Sequence, residues 1–512
     1  MSNRFDFGGV HLSTGEDTPI AHPSAENPFC VALVGDFSGR GNRGIVEPRT
    51  IGERSPFLVD RDNFDEVLAS VSPRLRLSVQ DAPYEFHFSS LDDFHPDRLF
   101  EHEFFSRLRG LRIRLQDPSA LQELANELGF TSSKPTRQES GEAILPAPSP
   151  VDLASGSLLD QTIETTESRV SAGASPEVVD PLRKFAQQLA AKYAERRSDP
   201  QQPELIATVD RLLGDAMRAV LHHPDFQALE AAWQAAAWLI REVDSESRIR
   251  FYLLDISKEE LAADFASAAS FEDTGFFRLT VKKAIRTYGA DPWAVMVGDY
   301  RFGPEPGDLH LLAGLAKTAH SAQAPFIAEA GPAFLGLSSF SQVVHGYRPV
   351  EPSDWTALRS LPEANSIALG MPRFLLRLPY GRNTAPTEAF DFEEFAGSPS
   401  HDGYLWGNPG FAITLLLCQT FAQAGWEMHP GQESQINGLP LHIFGEGSSS
   451  QAKPCAEVLF TDDAVEQILE TGLIPLVSYK SRDSIRVMRF QSVSQVPRPL
   501  AGRWLPSLGT QS

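Results

Sequence analysis

The 512-residue sequence is poor in cysteine and has no long uninterrupted apolar run. Its three cysteines, Cys30, Cys418 and Cys455, lie far apart, which excludes a CxxC pair and a disulfide framework. Reduced thiols in a cytoplasmic protein are the simplest interpretation. The N-terminus, MSNRFDFGGV, lacks the apolar core of a signal peptide. The most apolar segment, residues 410–426, is too short to span a bilayer and predicts a buried helix.

The formal net charge of −22 argues against partners that are themselves anionic, such as nucleic acid or an acidic membrane surface. The sequence also lacks a GxSxG elbow, a Walker A motif and an HExxH motif. We therefore expect no catalytic residue, cofactor site or metal site, and we expect that the protein is not an enzyme. A basic surface on another protein is the partner that this charge favours.

One glycine motif matches the spacing of a nucleotide-binding loop. Gly39, Gly41 and Gly44 match the GxGxxG spacing and follow an apolar run at 29–34. That chemistry requires a helix to open at the third glycine, so that its N-terminus meets the pyrophosphate. The residues that follow, IVEPRTIGERSPF, contain two prolines and no helical period. The pattern favours a flexible loop over a nucleotide site.

Two other clusters carry residue types that are common in reactive sites. His222 and His223 are adjacent, and neighbouring residues on a helix point about 100° apart, so the pair is expected to pack or cap rather than chelate one ion. Asp391, Glu393 and Glu394 form an acidic run. Because the run is local and loop-like, we expect a solvated face rather than paired acid–base groups.

The stretch at 220–240, VLHHPDFQALEAAWQAAAWLI, has the strongest helical signal. From Phe226 onward its apolar residues follow the i, i+3, i+4, i+7 rhythm of a helix with one buried face. Pro224 in the first turn and Asp225 near the N-terminus both suit a helix start. The pattern predicts a core helix of a large domain.

Apolar runs alternate with helical segments along the rest of the chain. Strands are predicted at 29–34, 249–256, 293–297 and 324–328. A hairpin with one solvent-exposed face is predicted at 75–88. Alternating strands and helices predict an α/β fold with mixed sheets and flanking helices.

A short arginine-rich segment follows in this acidic chain. Arg373, Arg377 and Arg382 interleave with Phe374 and Tyr380. Arginine binds carboxylates bidentately, so these residues suit contacts with another subunit. Intrachain salt bridges explain the pattern equally well, and the sequence leaves the two alternatives open.

Three N-terminal motifs carry a resemblance to a known family. PFCVALVGDFSG, FLVDRDNFDEVLASVSPRL and SSLDDFHPDRL resemble, in order and spacing, the small subunit (TssB/VipA) of the type VI secretion contractile sheath. HHPDFQALEAAW, PRFLLRLPYG and YLWGN resemble the large subunit (TssC/VipB), although Gln234 and Ala235 replace the usual Arg and Gly. The chain is thus expected to be a natural fusion of the two subunits.

The resemblance implies contractile tail-sheath-like mixed sheets in two sheath-subunit-like parts joined by a disordered linker. The expected parts are a small-subunit-like domain (1–130), a Pro/Ser/Gly-rich linker (131–156), a helical region (157–240), a large-subunit-like α/β domain (241–500) and a tail (501–512). The composition of 131–156 supports the linker, since it cannot bury a core.

The implied function is structural. Such protomers stack into a helical tube around an inner tube, and strands added to exposed sheet edges join them. Implied partners are other sheath protomers, inner-tube or baseplate proteins and the recycling AAA+ ATPase (ClpV), with no nucleic acid and no membrane insertion. A helix with Leu158, Leu159 and Ile163 on one face resembles the segment that this ATPase grasps, and an ordinary surface helix is the alternative.

One departure from the family supports a second hypothesis. Large subunits continue beyond the region that corresponds to GLIPLVSYKSRD, whereas this sequence ends at Ser512. The C-terminal arm used in strand exchange is therefore expected to be missing or replaced. The alternative function is a non-polymerising sheath-like paralogue that caps, initiates or regulates the sheath or baseplate.

Overall fold

The computed structural model describes residues 23–79, 82–116, 202–244, 246–284, 291–340, 353–445, 450–496 and 498–505, with backbone only at 202–205. The chain divides into two compact units, one of residues 107–212 and one of residues 1–106 with 213–512. In the described part of the smaller unit, Arg112 pairs with Asp210 at 2.6 Å. The predicted linker and the segment with Leu158, Leu159 and Ile163 lie outside the described residues.

The described residues form strands that we number in chain order. They are β1 (Phe29–Gly35), β2 (Phe57–Val59), β3 (Arg74–Val79), β4 (Ala82–His87), β5 (Ile249–Asp255), β6 (Trp293–Phe302), β7 (Phe326–Ala330), β8 (Ile367–Met371), β9 (Phe374–Leu375), β10 (Trp406–Gly407), β11 (Gln435–Ile436), β12 (His442–Phe444), β13 (Gln451–Lys453), β14 (Ile474–Ser478) and β15 (Ile485–Val487).

Helices are numbered in the same way. They are α1 (Phe64–Val71), α2 (Pro96–Leu99), α3 (Glu103–Gln116), α4 (Gln202–Leu221), α5 (Pro224–Glu242), α6 (Lys258–Ser267), α7 (Gly275–Phe277), α8 (Pro306–Ala322), α9 (Ser353–Arg359), α10 (Pro409–Ala424) and α11 (Asp462–Glu470). A π-helical turn, Arg278–Lys283, continues α7.

A nine-stranded sheet organises the larger unit, in the order β11-β15-β14-β8-β7-β6-β1-β5-β2. Strands β5, β1, β6, β7, β8 and β14 run parallel, and β2, β15 and β11 add antiparallel edges. Helix α8 packs against β6, β7 and β8, and so does α10. The predicted α/β fold with a mixed sheet and flanking helices is confirmed.

Strand β1 lies near the centre of this sheet, hydrogen-bonded to β5 on one side and to β6 on the other. All seven of its residues are buried. Cys30, Ala32 and Val34 join the core cluster that includes α8, whereas the Phe29 ring lies 4.7 Å from that of Phe421 on α10. A strand buried on both faces needs a neighbour on each edge. Residues 249–255 and 293–302 supply those neighbours, so the N-terminal strand completes a sheet built mostly from residues after 248.

The smaller elements also follow the sequence patterns. Strands β3 and β4 form the predicted antiparallel hairpin, and β3 alternates exposed and buried residues. Helix α10 accounts for the apolar segment at 410–426, and most of it is buried. Within the described ranges, none of the helices combines the length and the apolar character needed to cross a bilayer.

Candidate functional site: the junction around helix α5

Helix α5 starts where the sequence predicts, because the residues before it cap its first turn. The Nδ1 atom of His223 accepts a hydrogen bond from the Asp225 N–H at 3.3 Å, and Pro224 occupies the first helical position. The His222 ring lies 5.8 Å from that of Phe395. The two histidines therefore cap and pack, as expected.

The buried face of α5 receives aromatic side chains from the N-terminal part of the chain. The Trp233 indole N–H donates to the Phe37 carbonyl at 2.8 Å, directly after β1. The rings of Phe37 and Phe64 meet the Trp233 ring edge-on, with centroids at 5.3 and 5.7 Å. Edge-to-face aromatic pairs add about 0.5–1.5 kcal/mol each beyond the area that they bury. Trp233 thus joins α5 to both β1 and α1.

The first turns of α5 make a second aromatic contact with the same part of the chain. Phe226 is fully buried, and its ring lies 6.0 Å from that of Phe88 and 5.8 Å from that of Phe94. Near the other end of α5, the Arg61 guanidinium donates to the carbonyls of Ile240 and Val243, which are orphan acceptors at a helix C-terminus. Residues 23–100 therefore hold α5 along its whole length.

Ion pairs across the same junction lie above the carboxyl ends of β1 and β5. The Glu260 carboxylate, at the start of α6, is buried and accepts from Arg40 at 3.1 Å and from Arg54 at 2.8 Å. Burial alone would raise the pKa of Glu260, but the Arg54 guanidinium and the Glu47 N–H outweigh it and lower that pKa. Two arginines from the N-terminal part thus neutralise one buried carboxylate of the C-terminal part.

The glycine motif lies beside these ion pairs and forms a closed loop. The Asp36 carboxylate accepts from the N–H groups of Arg40 and Gly41, both at 2.7 Å. Burial raises the pKa of Asp36 to about 6. After Gly44 the chain continues irregularly to a 3-10 turn at Pro48–Glu53, so the third glycine opens no helix. The backbone donors that would cradle a phosphate are occupied by the protein's own carboxylate.

The three arginines of the predicted contact segment occupy different environments. Arg377 is buried and bridges Glu230 of α5 at 2.7 Å and Glu394 at 2.8 Å. Arg373 pairs with Glu457 at 2.7 Å, whereas Arg382 is 70% exposed and pairs with the exposed Asp391. Intrachain ion pairs thus account for the first two arginines. A role for the three in contacts between subunits stays a prediction.

Glu394 corrects one expectation about the acidic run. Asp391 and Glu393 are exposed, as predicted, but Glu394 is buried. Burial alone would raise the pKa of Glu394, yet the nearby Arg377 guanidinium lowers it to about 2. The Tyr380 N–H also donates to this carboxylate at 2.7 Å. The expectation failed because Glu394 is buried against Arg377, 17 residues earlier in the chain, and that arginine is itself held by the distant Glu230 of α5.

The cysteine thiols are poorly suited to act as nucleophiles. Cys30, Cys418 and Cys455 are all buried and unpaired. Burial raises the pKa of Cys30 to about 12 and that of Cys455 to about 11, so neither is a thiolate near neutral pH. Among the residues that the structure describes, no three His, Cys, Asp or Glu side chains are grouped to hold a metal ion.

The junction therefore defines a class of protein by its architecture. Its polar groups are used in caps, ion pairs and loop closure, and its aromatic groups pack two distant parts of the chain into one core. Such a junction holds helix α5 between the N-terminal and C-terminal parts of the chain. The class is an α/β protein in which an N-terminal strand completes a sheet of the C-terminal part.

Comparisons with known proteins identify both parts. The family model VipB, described as EvpB/VC_A0108, tail sheath N-terminal domain, matches residues 203–494. A second model, described as Type VI secretion system, VipA, VC_A0107 or Hcp2, matches residues 10–130. A curated relative, type VI secretion system sheath protein TssC1 of Pseudomonas aeruginosa, is 30% identical over 303 residues. That match covers 57% of this chain and 61% of the relative, so the chain spans less than two thirds of its length.

The chain belongs to the tail sheath family that the VipB model defines, and it carries a VipA-family segment ahead of that region. The fusion of small and large type VI secretion sheath subunits, predicted from the motifs, is confirmed. Family members of this kind are structural sheath proteins.

Proposed function

We propose that this protein is a fused protomer of a type VI secretion contractile sheath. Copies of it assemble into a helical tube around an inner tube, and contraction drives the inner tube outward. The observation that carries the proposal is the position of β1. This strand of the VipA-like segment pairs with β5 and β6 of the VipB-like region, so the two subunit-like parts share one sheet.

The proposed partners are other protomers, inner-tube or baseplate proteins and the recycling ATPase ClpV, all in the cytoplasm. ClpV is proposed to grasp the segment that carries Leu158, Leu159 and Ile163. A pull-down with the ATPase tests this role, using Leu158→Asp with Leu159→Asp as the variant. Reduced capture of the variant is expected, and equal capture of variant and wild type would reject it.

Assembly is tested on the purified full chain by size-exclusion chromatography and negative-stain microscopy. Tubes with a regular helical repeat are expected. A small discrete species at every concentration would contradict polymerisation. That result would favour the second candidate function, a sheath-like paralogue that caps, initiates or regulates the sheath or baseplate.

The proposed role of the arginines in subunit contacts has a separate test. Arg382 has the most exposed guanidinium of the three, so Arg382→Glu is expected to weaken assembly without loss of stability. Asp391→Asn, which frees Arg382 from its intrachain partner, is the matched control and should leave assembly intact. Unchanged assembly of Arg382→Glu would exclude this contact.

A further inference from the structure

The turn and second strand of the β14–β15 hairpin carry a concentration of positive charge in an acidic protein. Lys480, Arg482, Arg486 and Arg489 are all exposed, against one acidic neighbour, Asp483. None of the four cations pairs with a carboxylate among the residues that the structure describes. In a chain of net charge −22, such a cluster creates a local positive potential that attracts an acidic surface.

Apolar side chains lie among these cations. Tyr479 is 44% exposed and Met488 is 42% exposed. Arg486 lies in β15, Tyr479 directly follows β14, and Met488 directly follows β15. Exposed apolar side chains are therefore close in sequence to the exposed cations of the hairpin. Arginine, aromatic residues and methionine are the types enriched at protein interfaces.

The opposite end of the same sheet has the complementary composition. Strand β2 exposes Phe57 (39%) and Leu58 (48%). Asp62, which precedes α1, and Asp65 and Glu66, in the first turn of α1, are exposed. Arg61 keeps its positive charge, but its guanidinium is held against carbonyls at the end of α5, and the three carboxylates outnumber it. Exposed apolar and acidic groups thus lie together at this end.

The sheet order prevents the two surfaces from meeting within one molecule. Six inter-strand steps separate β2 from β14, which is about 29 Å at roughly 4.8 Å per step. A surface that binds a different surface on the next copy forms a heterologous contact, and such contacts continue into rings or helical filaments.

We infer that the β14–β15 hairpin of one copy docks on the β2–α1 surface of a second copy, through exposed cations and apolar groups that meet carboxylates and apolar groups. The contact uses side chains at opposite ends of the sheet. It rests on the proposed function, since it names the surfaces through which copies of this chain would join.

Charge reversal on the full-length protein tests the contact. The basic-surface variant is Lys480→Glu with Arg486→Glu, and the acidic-surface variant is Asp62→Lys with Glu66→Lys. Self-association is followed by sedimentation velocity and microscopy in about 50 mM salt, where charges are weakly screened. Each variant is expected to need a concentration about tenfold higher or more to assemble, since like charges then face each other. The four substitutions combined are expected to restore assembly.

A control separates the surface from net charge. Arg98→Glu with Lys283→Glu changes the net charge as much as the basic-surface variant does, at exposed positions outside both surfaces, and should assemble like wild type. A basic-surface variant that also assembles like wild type would overturn the contact and leave the proposed function standing. Defects in both reversed variants without restoration would overturn the pairing of these two surfaces. A wild type that stays monomeric would overturn the proposed function and the contact together.

Discussion

Replacing Arg377 by methionine is the sharpest test of the junction around α5. The guanidinium lies between two buried carboxylates, Glu230 at 2.7 Å and Glu394 at 2.8 Å. Methionine fills similar volume but supplies no charge and no donor. Both carboxylates would then be buried beside each other without their cation. Breaking a buried pair from one side is strongly destabilising for this reason.

The magnitude follows from the structure. The pKa of Glu394 falls from 4.5 to about 2. At about 1.4 kcal/mol per pKa unit, this corresponds to roughly 3 kcal/mol of stability. One-sided removal of a buried partner typically costs about 3–5 kcal/mol, so the two values agree. Because the pKa of Glu394 is lowered in the folded state, its contribution is present above pH 4.5 and is lost as the pH falls toward 2.

We therefore expect Arg377→Met to lower the free energy of unfolding by about 3–5 kcal/mol at pH 7. Urea unfolding followed by tryptophan fluorescence measures this change. The matched control is Arg382→Met, whose partner Asp391 is exposed and whose effect should stay below about 1 kcal/mol. Equal effects of the two substitutions, or an Arg377→Met effect that does not shrink as the pH falls from 4.5 toward 2, would refute the reasoning.

Three further predictions concern other groups. Trp233→Phe keeps the aromatic packing but leaves the buried Phe37 carbonyl without its donor, so it should cost about 1–3 kcal/mol in urea unfolding; an unchanged midpoint would contradict this. Burial, together with the charge of Glu329, raises the pKa of Asp299 to about 7. Between pH 4 and pH 7 the Asp299 carboxyl is therefore protonated in the folded protein but ionised in the unfolded chain. Stability from this group should fall by about 2–4 kcal/mol between pH 4 and pH 7, and Asp299→Asn should show a smaller fall; identical pH profiles would be the contrary result. The three buried thiols should react with a chromogenic disulfide reagent only in denaturant, and rapid labelling of the folded protein would show that their burial is incomplete.

Local patterns in the sequence were sufficient to predict many of the strands and helices. The predicted strand at 29–34 is β1, the helical rhythm after Phe226 is α5, and the alternation at 75–79 is one strand of a hairpin. These predictions succeeded because burial of one face imposes a fixed period on neighbouring residues. The His223 cap was accessible for the same reason, since it depends on residues close in sequence.

The environment of the arginines could not be predicted in this way. Arg373, Arg377 and Arg382 are alike in the sequence, and the choice between intrachain and intersubunit contacts stayed open. Glu230 lies 147 residues from Arg377, and Glu457 lies 84 residues from Arg373. An ion pair of that separation leaves no local pattern, because it depends on where the strands between the partners are placed.

The sequence by itself determined several of the elements, the α/β class and, through its motifs, the two sheath-like parts. Only the tertiary structure decided that β1 lies between β5 and β6, and that Trp233 and Glu260 receive partners from residues 23–100. The physical reason is the distance along the sequence over which each interaction acts. Periodicity and capping act over a few residues, whereas pairing of buried strands is fixed only when all of the core surfaces are covered at once.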